Sequence, residues 1–317
     1  MVAWLARRIG FVAQPRADRL HETPTPFLGG LAILLAFLSG LIVTGLIVTT
    51  VGGRPATLLN APAATLLFFL ALAAFLLGLL DDWRNLSPPA KMAGQVVIAS
   101  TFLAAGGAGP LVRPGLDGVI GLVWVVGLMN ACNFLDNMDG ALAGAALPAA
   151  GGLAVLAGSS EPGHVALILA GAIGGFLLWN RPPARIFLGD AGSLFLGAAL
   201  ATTSWMIASS SGLTSTWLVL PLIMAWPIFD MTFVTVTRLA RRQSPMVGGR
   251  DHTTHRLATW LGCRSRAFLF VLGASGLMAT VGVLLANRPV GIATAGLFVS
   301  ILLFLSLGFQ LGRVPVR

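Results

Sequence analysis

Apolar residues along this chain come in runs of about twenty, the length an α-helix needs to cross a hydrocarbon layer. Short polar stretches separate the runs. Ten of them predict ten membrane helices, at about 27–51, 62–80, 91–107, 118–135, 140–158, 163–180, 191–209, 214–237, 267–286 and 289–311. Nothing between them is long enough for a soluble domain, so residues 1–317 are expected to form one all-α, polytopic membrane bundle. The alternating segments of about ten residues that a membrane barrel requires are absent. A further apolar run at 3–13 is broken by Arg7 and Arg8. It is too short to span and unlike a cleavable signal peptide, and it reads as an interfacial helix or as the stub of another span.

Composition adds an orientation. Only 10% of the residues are charged against 56% hydrophobic, so each charge is informative. Ten spans put both termini on one side, with the loops near 81–90, 136–139, 181–190 and 238–266. That side carries 17 of the 20 basic residues, leaving only Arg54, Arg113 and Arg288 opposite. Cytoplasmic loops collect Lys and Arg, so the basic side is expected to be cytosolic. The net charge of +9 is then explained by topology and by contact with anionic membrane lipids, with no nucleic acid partner. Cys132 and Cys263 fall on the same side outside any CxxC pattern and are expected to be free thiols.

The acids go against the usual pattern. Nine of eleven (Asp18, Glu22, Asp81, Asp82, Asp136, Asp139, Asp190, Asp230 and Asp251) also fall on the basic side or at helix ends facing it, with His21, His252 and His255. A carboxylate at membrane depth costs about 2.5–3.5 kcal/mol on insertion scales. A helix that ends in several of them is expected to use them.

Four stretches carry the candidate chemistry. In "NACNFLDNMDG" (130–140), Asn130, Asn133, Asp136 and Asp139 recur every third residue, and Asn137 and Gly140 suggest a fraying helix end that lets the carboxylates converge. In "GLLDDWRNLSPPAK" (78–91), Asp81 and Asp82 close an apolar run where the helix dipole disfavours acids, which calls for a divalent metal or a base role. Lys91, the only lysine in the chain, supplies a compact charge for anionic ligand groups. In "NRPPARIFLGDAGSLFLG" (180–197), Asp190 sits in a glycine-flanked turn feeding a helix N-terminus, a place for a magnesium ion and a phosphate. In "SPMVGGRDHTTHRL" (244–257), His252 and His255 stand among Arg250 and Arg256, a set that suits a phosphate-bearing substrate better than zinc. Asp230, within the eighth run, is either functional or a structural ion-pair partner.

On these residues the chain resembles the polyprenyl-phosphate N-acetylhexosamine-1-phosphate transferases, from about residue 7 to residue 260. "RLHETPTPFLGG" is similar to the family's first cytoplasmic segment at Arg19, His21, Pro24, Pro26, Gly29 and Gly30. "LLDDWRNLSPPAK" resembles its paired-aspartate motif, "NACNFLDNMDG" its NxxNxxDGxDG, "PPARIFLGDAGS" its magnesium-binding motif and "DHTTHRL" its HxHH. Asp230 and the "SP…HRL" frame liken it more to the antigen- and teichoic-acid-initiating branch than to the peptidoglycan branch.

The resemblance implies a magnesium-dependent reaction (manganese being the alternative ion) in which undecaprenyl or another polyprenyl phosphate attacks the β-phosphorus of a UDP-N-acetylhexosamine in a bacterial inner membrane, the hexosamine being of GlcNAc type in that branch. It implies catalytic roles for Asp81, Asp82, Asp136, Asp139 and His252, with Asp190 as the metal ligand. Substrate contacts are expected from Lys91, Asn130, Asn133, Arg19, His21, Arg250, His255 and Arg256. A homodimer is left open. Two positions depart from the family pattern: Asn137 stands where the first glycine of DGxDG is expected, and Thr254 where HxHH has its middle histidine. Members of this branch also begin with one more span. A transporter is the main rival, but it would need acids near the midplane and internal repeats, neither of which the chain has. A member that binds its substrates without turnover is the other alternative.

Overall fold

In the computed structural model, residues 2–8, 10, 12–13, 25–50, 62–107, 116–246 and 248–315 are described. Arg19 and His21 lie outside them. Every one of the ten apolar runs contains a helix: α2 Gly29–Thr50, α3 Pro62–Arg84, α4 Pro88–Phe102, α5 Leu116–Leu135, α6 Ala141–Ala157, α7 Glu161–Asn180, α8 Gly189–Ser211, the pair α9 Thr214–Ile223 and α10 Ala225–Ala240, α12 Arg264–Ala286 and α13 Val290–Gly312. A short helix, α1 Val2–Arg8, comes before them, and α11 Thr253–Trp260 forms inside the long polar loop. Two-residue strands β1 Val12–Ala13 and β2 Thr25–Pro26 pair antiparallel.

Ten spans are not confirmed. Among the described residues seven helices are long and apolar enough to cross a membrane, or eight if α9 and α10 are one span bent by 66°. Pro221 and Pro227 flank that bend, and each removes a backbone donor from the helical ladder. α4 has 15 residues before it passes directly into a five-residue π-helix, Leu103–Gly107, and α6 has 17, so neither is among the seven. Apolar composition marked both as spans; helix length does not.

α8 is the axis of the bundle. It packs against α2, α3, α5, α6, α7 and α9. Of its apolar stretch 94% is buried, against 11% for α13. Lipid is as apolar as leucine, so what draws a helix inward is close backbone approach and hydrogen bonding. α8 offers both, through the close backbone contacts of Gly192 and Gly197 and through Ser193 and Ser204, which accept hydrogen bonds from Asn133 and Trp124. At Gly78 of α3 even a methyl group would lie 2.2 Å from the Asp190 carbonyl oxygen. The backbones of α3 and α8 therefore meet directly beside their carboxylates. A strap pins the start of α2 to the entry of α8, with Gly29 N–H donating to Phe187 O at 2.8 Å and Gly30 N–H to Leu188 O at 2.9 Å.

Candidate active site

Six helix ends meet at one end of the bundle: the C-termini of α3, α5 and α7 and the N-termini of α4, α6 and α8. Successive antiparallel helices bring alternate ends together, which is why polar residues far apart in sequence converge. Lys91, in the first turn of α4, is the hub. Its Nζ lies 2.7 Å from Asp81 Oδ2, 2.8 Å from Asp190 Oδ2 and 2.9 Å from Asn133 Oδ1. Asn133 in turn donates to Asp190 Oδ1 at 2.7 Å and to Ser193 Oγ at 2.9 Å. One ammonium thus holds two carboxylates from different helices.

Asp82 does something else. Its two oxygens accept the backbone N–H groups of Asp190 and Ala191, at 2.9 and 3.0 Å. These are among the donors that a helix leaves open at its first turn, where an anion is also favoured by the dipole. Gly189, at φ +77°, makes the entry possible, since a side chain there would strike Asp82 and the Phe27 carbonyl. Asp82 therefore fixes the position of Asp190.

The 136–140 turn completes this cluster. Asp139 accepts Ala184 N–H at 3.0 Å, and Asn180 joins the same two loops by accepting Gly140 N–H at 3.1 Å and donating to Ile186 O at 2.9 Å. Asp136 accepts no hydrogen bond from the described residues. Its side chain is half-buried. Loss of hydration, then the nearby charges of Asp190, Asp82 and Asp139, push its carboxyl up to about 8.

A second polar cluster lies where α10 meets α11. Asp230 is fully buried, and its Oδ2 is 2.7 Å from His252 Nδ1. Its Oδ1 accepts both the backbone N–H and the hydroxyl of Thr253. The partner of this intramembrane acid is thus a histidine at a helix start, not an arginine. Arg238 Nε donates to Asp251 Oδ2 at 2.9 Å and holds that carboxyl below its usual range. Arg256 donates to the carbonyls of Leu311 (3.1 Å) and Val314 (2.6 Å), tying α11 to the end of α13. His255 packs 6.0 Å from His252, and burial, followed by the neighbouring His252, lowers it to about 4. Arg250 lines an open groove of about 430 Å³ with Arg238, Arg241, Ser244 and Asp251.

Comparison with known proteins decides the family. The model of glycosyl transferase family 4 matches residues 64–208. Over 309 residues the chain is 30% identical to a decaprenyl-phosphate N-acetylglucosaminephosphotransferase of Mycolicibacterium smegmatis, covering 87% of this chain and 75% of that one. The chain belongs to glycosyl transferase family 4. It is also 29% identical over 300 residues to a probable undecaprenyl-phosphate N-acetylglucosaminyl 1-phosphate transferase of Bacillus subtilis, covering 89% of this chain and 78% of that protein. A phospho-N-acetylmuramoyl-pentapeptide-transferase of the same organism is 36% identical over 224 residues, covering 62% and 66%.

The segment matched to glycosyl transferase family 4 contains the whole Lys91 cluster and ends before Asp230. Of the expected site residues, Lys91, Asp81, Asp190 and Asn133 touch one another, Asp82 supports Asp190, and Asp136 and Asp139 stand alongside. Asn130 is placed differently. Its amide exchanges hydrogen bonds with Gln95 of α4 and donates to Val126 O at 2.8 Å, so both its ends are used between two helices. Gln95, Asn180 and Ser193 were not anticipated. The signal was present for the first two, since a buried amide within an apolar run needs a partner.

Among the described residues no three His, Cys, Asp or Glu side chains form a ready metal site. The donor chemistry nevertheless suits a hard divalent cation, which takes oxygen ligands. Among the described residues Asp136 offers oxygens without a partner, and the ammonium of Lys91 is the cation that pairs with the surrounding carboxylates.

Proposed function

We propose that this multi-pass membrane protein transfers N-acetylglucosamine 1-phosphate from UDP-N-acetylglucosamine to a polyprenyl phosphate. The observation that carries the reading is the Lys91 cluster: two carboxylates on one ammonium, with a third carboxylate unpartnered beside them, at one end of a bundle otherwise open to lipid. An oxygen of the lipid phosphate attacks the β-phosphorus of the nucleotide sugar. A new P–O bond forms, the bond between that phosphorus and the bridging oxygen breaks, and UMP leaves. The product is a lipid pyrophosphate bearing the sugar. The names of the relatives support the acceptor and the sugar phosphate.

Positioning and charge stabilisation do most of the work in such a displacement. Asp81 orients the incoming polyprenyl phosphate from the end of α3. Lys91 offsets negative charge on the pyrophosphate and keeps Asp81 and Asp190 at a fixed separation. Asp82 holds the first turn of α8 so that Asp190 does not drift. Asp139 and Asn180 secure the loop beneath the donor, and His252 contacts its phosphates from α11. Asp190 and Asp136 would hold magnesium, which when bound supplies a Lewis acid for the phosphate oxygens. The positive-inside bias favours a cytosolic site in the inner membrane, where nucleotide sugars are present.

Membranes containing the protein should be supplied with polyprenyl phosphate and radiolabelled UDP-N-acetylglucosamine or UDP-N-acetylgalactosamine, with magnesium or with chelator. Magnesium-dependent movement of the first label into lipid is the expected result. Failure of the N-acetylglucosamine label to enter lipid would refute the reading.

A further inference from the structure

The two positions at which the chain departs from the pattern it resembles are 117 residues apart in sequence, and the fold joins them. The Thr254 hydroxyl, fully buried, donates to Asn137 Oδ1. The other end of that amide donates to Phe134 O at 2.7 Å, a carbonyl left open at the end of α5. It also lies 3.5 Å from Asp230 Oδ2, the oxygen that His252 Nδ1 approaches to 2.7 Å. Asn137 does not have a left-handed φ, so a side chain there strains no backbone even though the resembled pattern has glycine.

We propose that Asn137 and Thr254 are a matched positioning pair that clasps the His252-bearing start of α11 to the Asp136–Asp139 turn. The proposal rests on the transferase reading for its effect on rate. A buried hydroxyl needs an acceptor, and losing one partner leaves the other unsatisfied. Threonine with glycine would leave the hydroxyl without one. Histidine with asparagine would overfill the same space. Asparagine with threonine, and glycine with histidine, occupy nearly equal volumes, so the two positions are expected to change together and not singly. The clasp ties Asp230, and through it His252, to the loop that carries Asp136. His252 thereby keeps a fixed distance from the carboxylate cluster without touching it.

The test uses the full-length protein in detergent with UDP-N-acetylglucosamine and polyprenyl phosphate. Thr254→Val and Asn137→Gly should each lower kcat by about tenfold, with KM for the nucleotide sugar within about twofold. Thr254→Ser, which keeps the hydroxyl, should stay within about twofold of the wild type. The double variant Asn137→Gly with Thr254→His should recover to within about threefold. Wild-type kcat in Thr254→Val, equal loss in Thr254→Ser and Thr254→Val, or a double variant showing the product of the two single losses would each overturn the pairing. If the double variant does not accumulate as a monodisperse species, the serine and valine variants decide. Hydrogen exchange at residues 251–256 gives a readout that needs no activity: it should rise in Thr254→Val and not in Thr254→Ser, and equal exchange in both refutes the clasp. A wild-type protein that transfers no sugar phosphate would instead count against the transferase reading, with the exchange result still judging the clasp.

Discussion

The two polar clusters are built from the same residue types and treat charge in opposite ways. Around Asp230 every carboxylate oxygen is taken up by a donor within the protein: His252, Thr253, or Arg238 in the case of Asp251. Around Lys91 the carboxylates outnumber the cation, and Asp136 has no donor among the described residues. A satisfied buried network fixes one conformation. An unsatisfied one is costly unless a ligand completes it. The first cluster is therefore expected to respond to mutation through stability, except where a change displaces His252, and the second through rate.

The strongest way to break that contrast is Asp190→Asn. It keeps the shape of the side chain and removes the charge that Lys91 and the proposed metal require. Transfer should fall by at least about a hundredfold, with little change in the amount of folded protein recovered from membranes. Comparable turnover with unchanged magnesium dependence would put the metal elsewhere.

Lys91→Met comes next. Asp81 and Asp190 would then face each other with no cation between them, and activity should fall by about ten- to a hundredfold. Lys91→Arg should rescue little, because a planar fork does not replace a compact ammonium shared by three acceptors. Full activity in Lys91→Arg would show that only the charge matters.

Arg256→Met sharpens the other side of the comparison. It removes the donor to the Val314 carbonyl and one of two donors to the Leu311 carbonyl, which keeps the Val314 N–H, and should cost about 1–3 kcal/mol of stability, read as a lower Tm in detergent. KM for the nucleotide sugar should not move. A raised KM with an unchanged Tm would make Arg256 a substrate contact, as its neighbourhood of histidines suggests on sequence.

The smallest effect concerns pH. His255 is lowered from its usual 6.5 to about 4, so between these values the unfolded chain binds a proton that the folded protein refuses. Stability contributed by the neutral ring is complete above about 6.5 and is lost as pH falls toward about 4. Tm should drop over that window, and His255→Phe should flatten the drop. An identical pH profile in the variant would mean that some other group governs the acid side.

Much of the Lys91 cluster was legible because charge is rare in this chain: an acid at the end of an apolar run stands out, and Asp81, Asp82, Asp136, Asp139 and Asp190 were found that way. Their separate functions were not legible. Adjacent in sequence, Asp81 and Asp82 look like a pair, yet one meets Lys91 and the other caps α8, a division set by the direction in which each side chain leaves α3. Asn130 falls on the same three-residue spacing as Asn133 but meets Gln95, which lies one turn beyond Lys91 on α4 and so one turn away from the carboxylates. The partner of Asp230 was equally hidden, since His252 approaches from another helix after a loop. The span number was legible only in part, because hydropathy counts apolar residues and is blind to where α4 and α6 begin and end.

The burial of α8 also bears on how the chain is made. Apart from α9, its helical neighbours α2, α3, α5, α6 and α7 all precede it in the sequence. A helix carrying Ser193, Thr202, Thr203 and Ser204 is a poor lodger in bare lipid. When α8 leaves the ribosome, however, its helical neighbours apart from α9 have already been synthesised. The order of residues in the gene is thus also an order of assembly, in which the least lipid-tolerant span arrives last at its own socket, and α13, which lipid tolerates best, closes the chain.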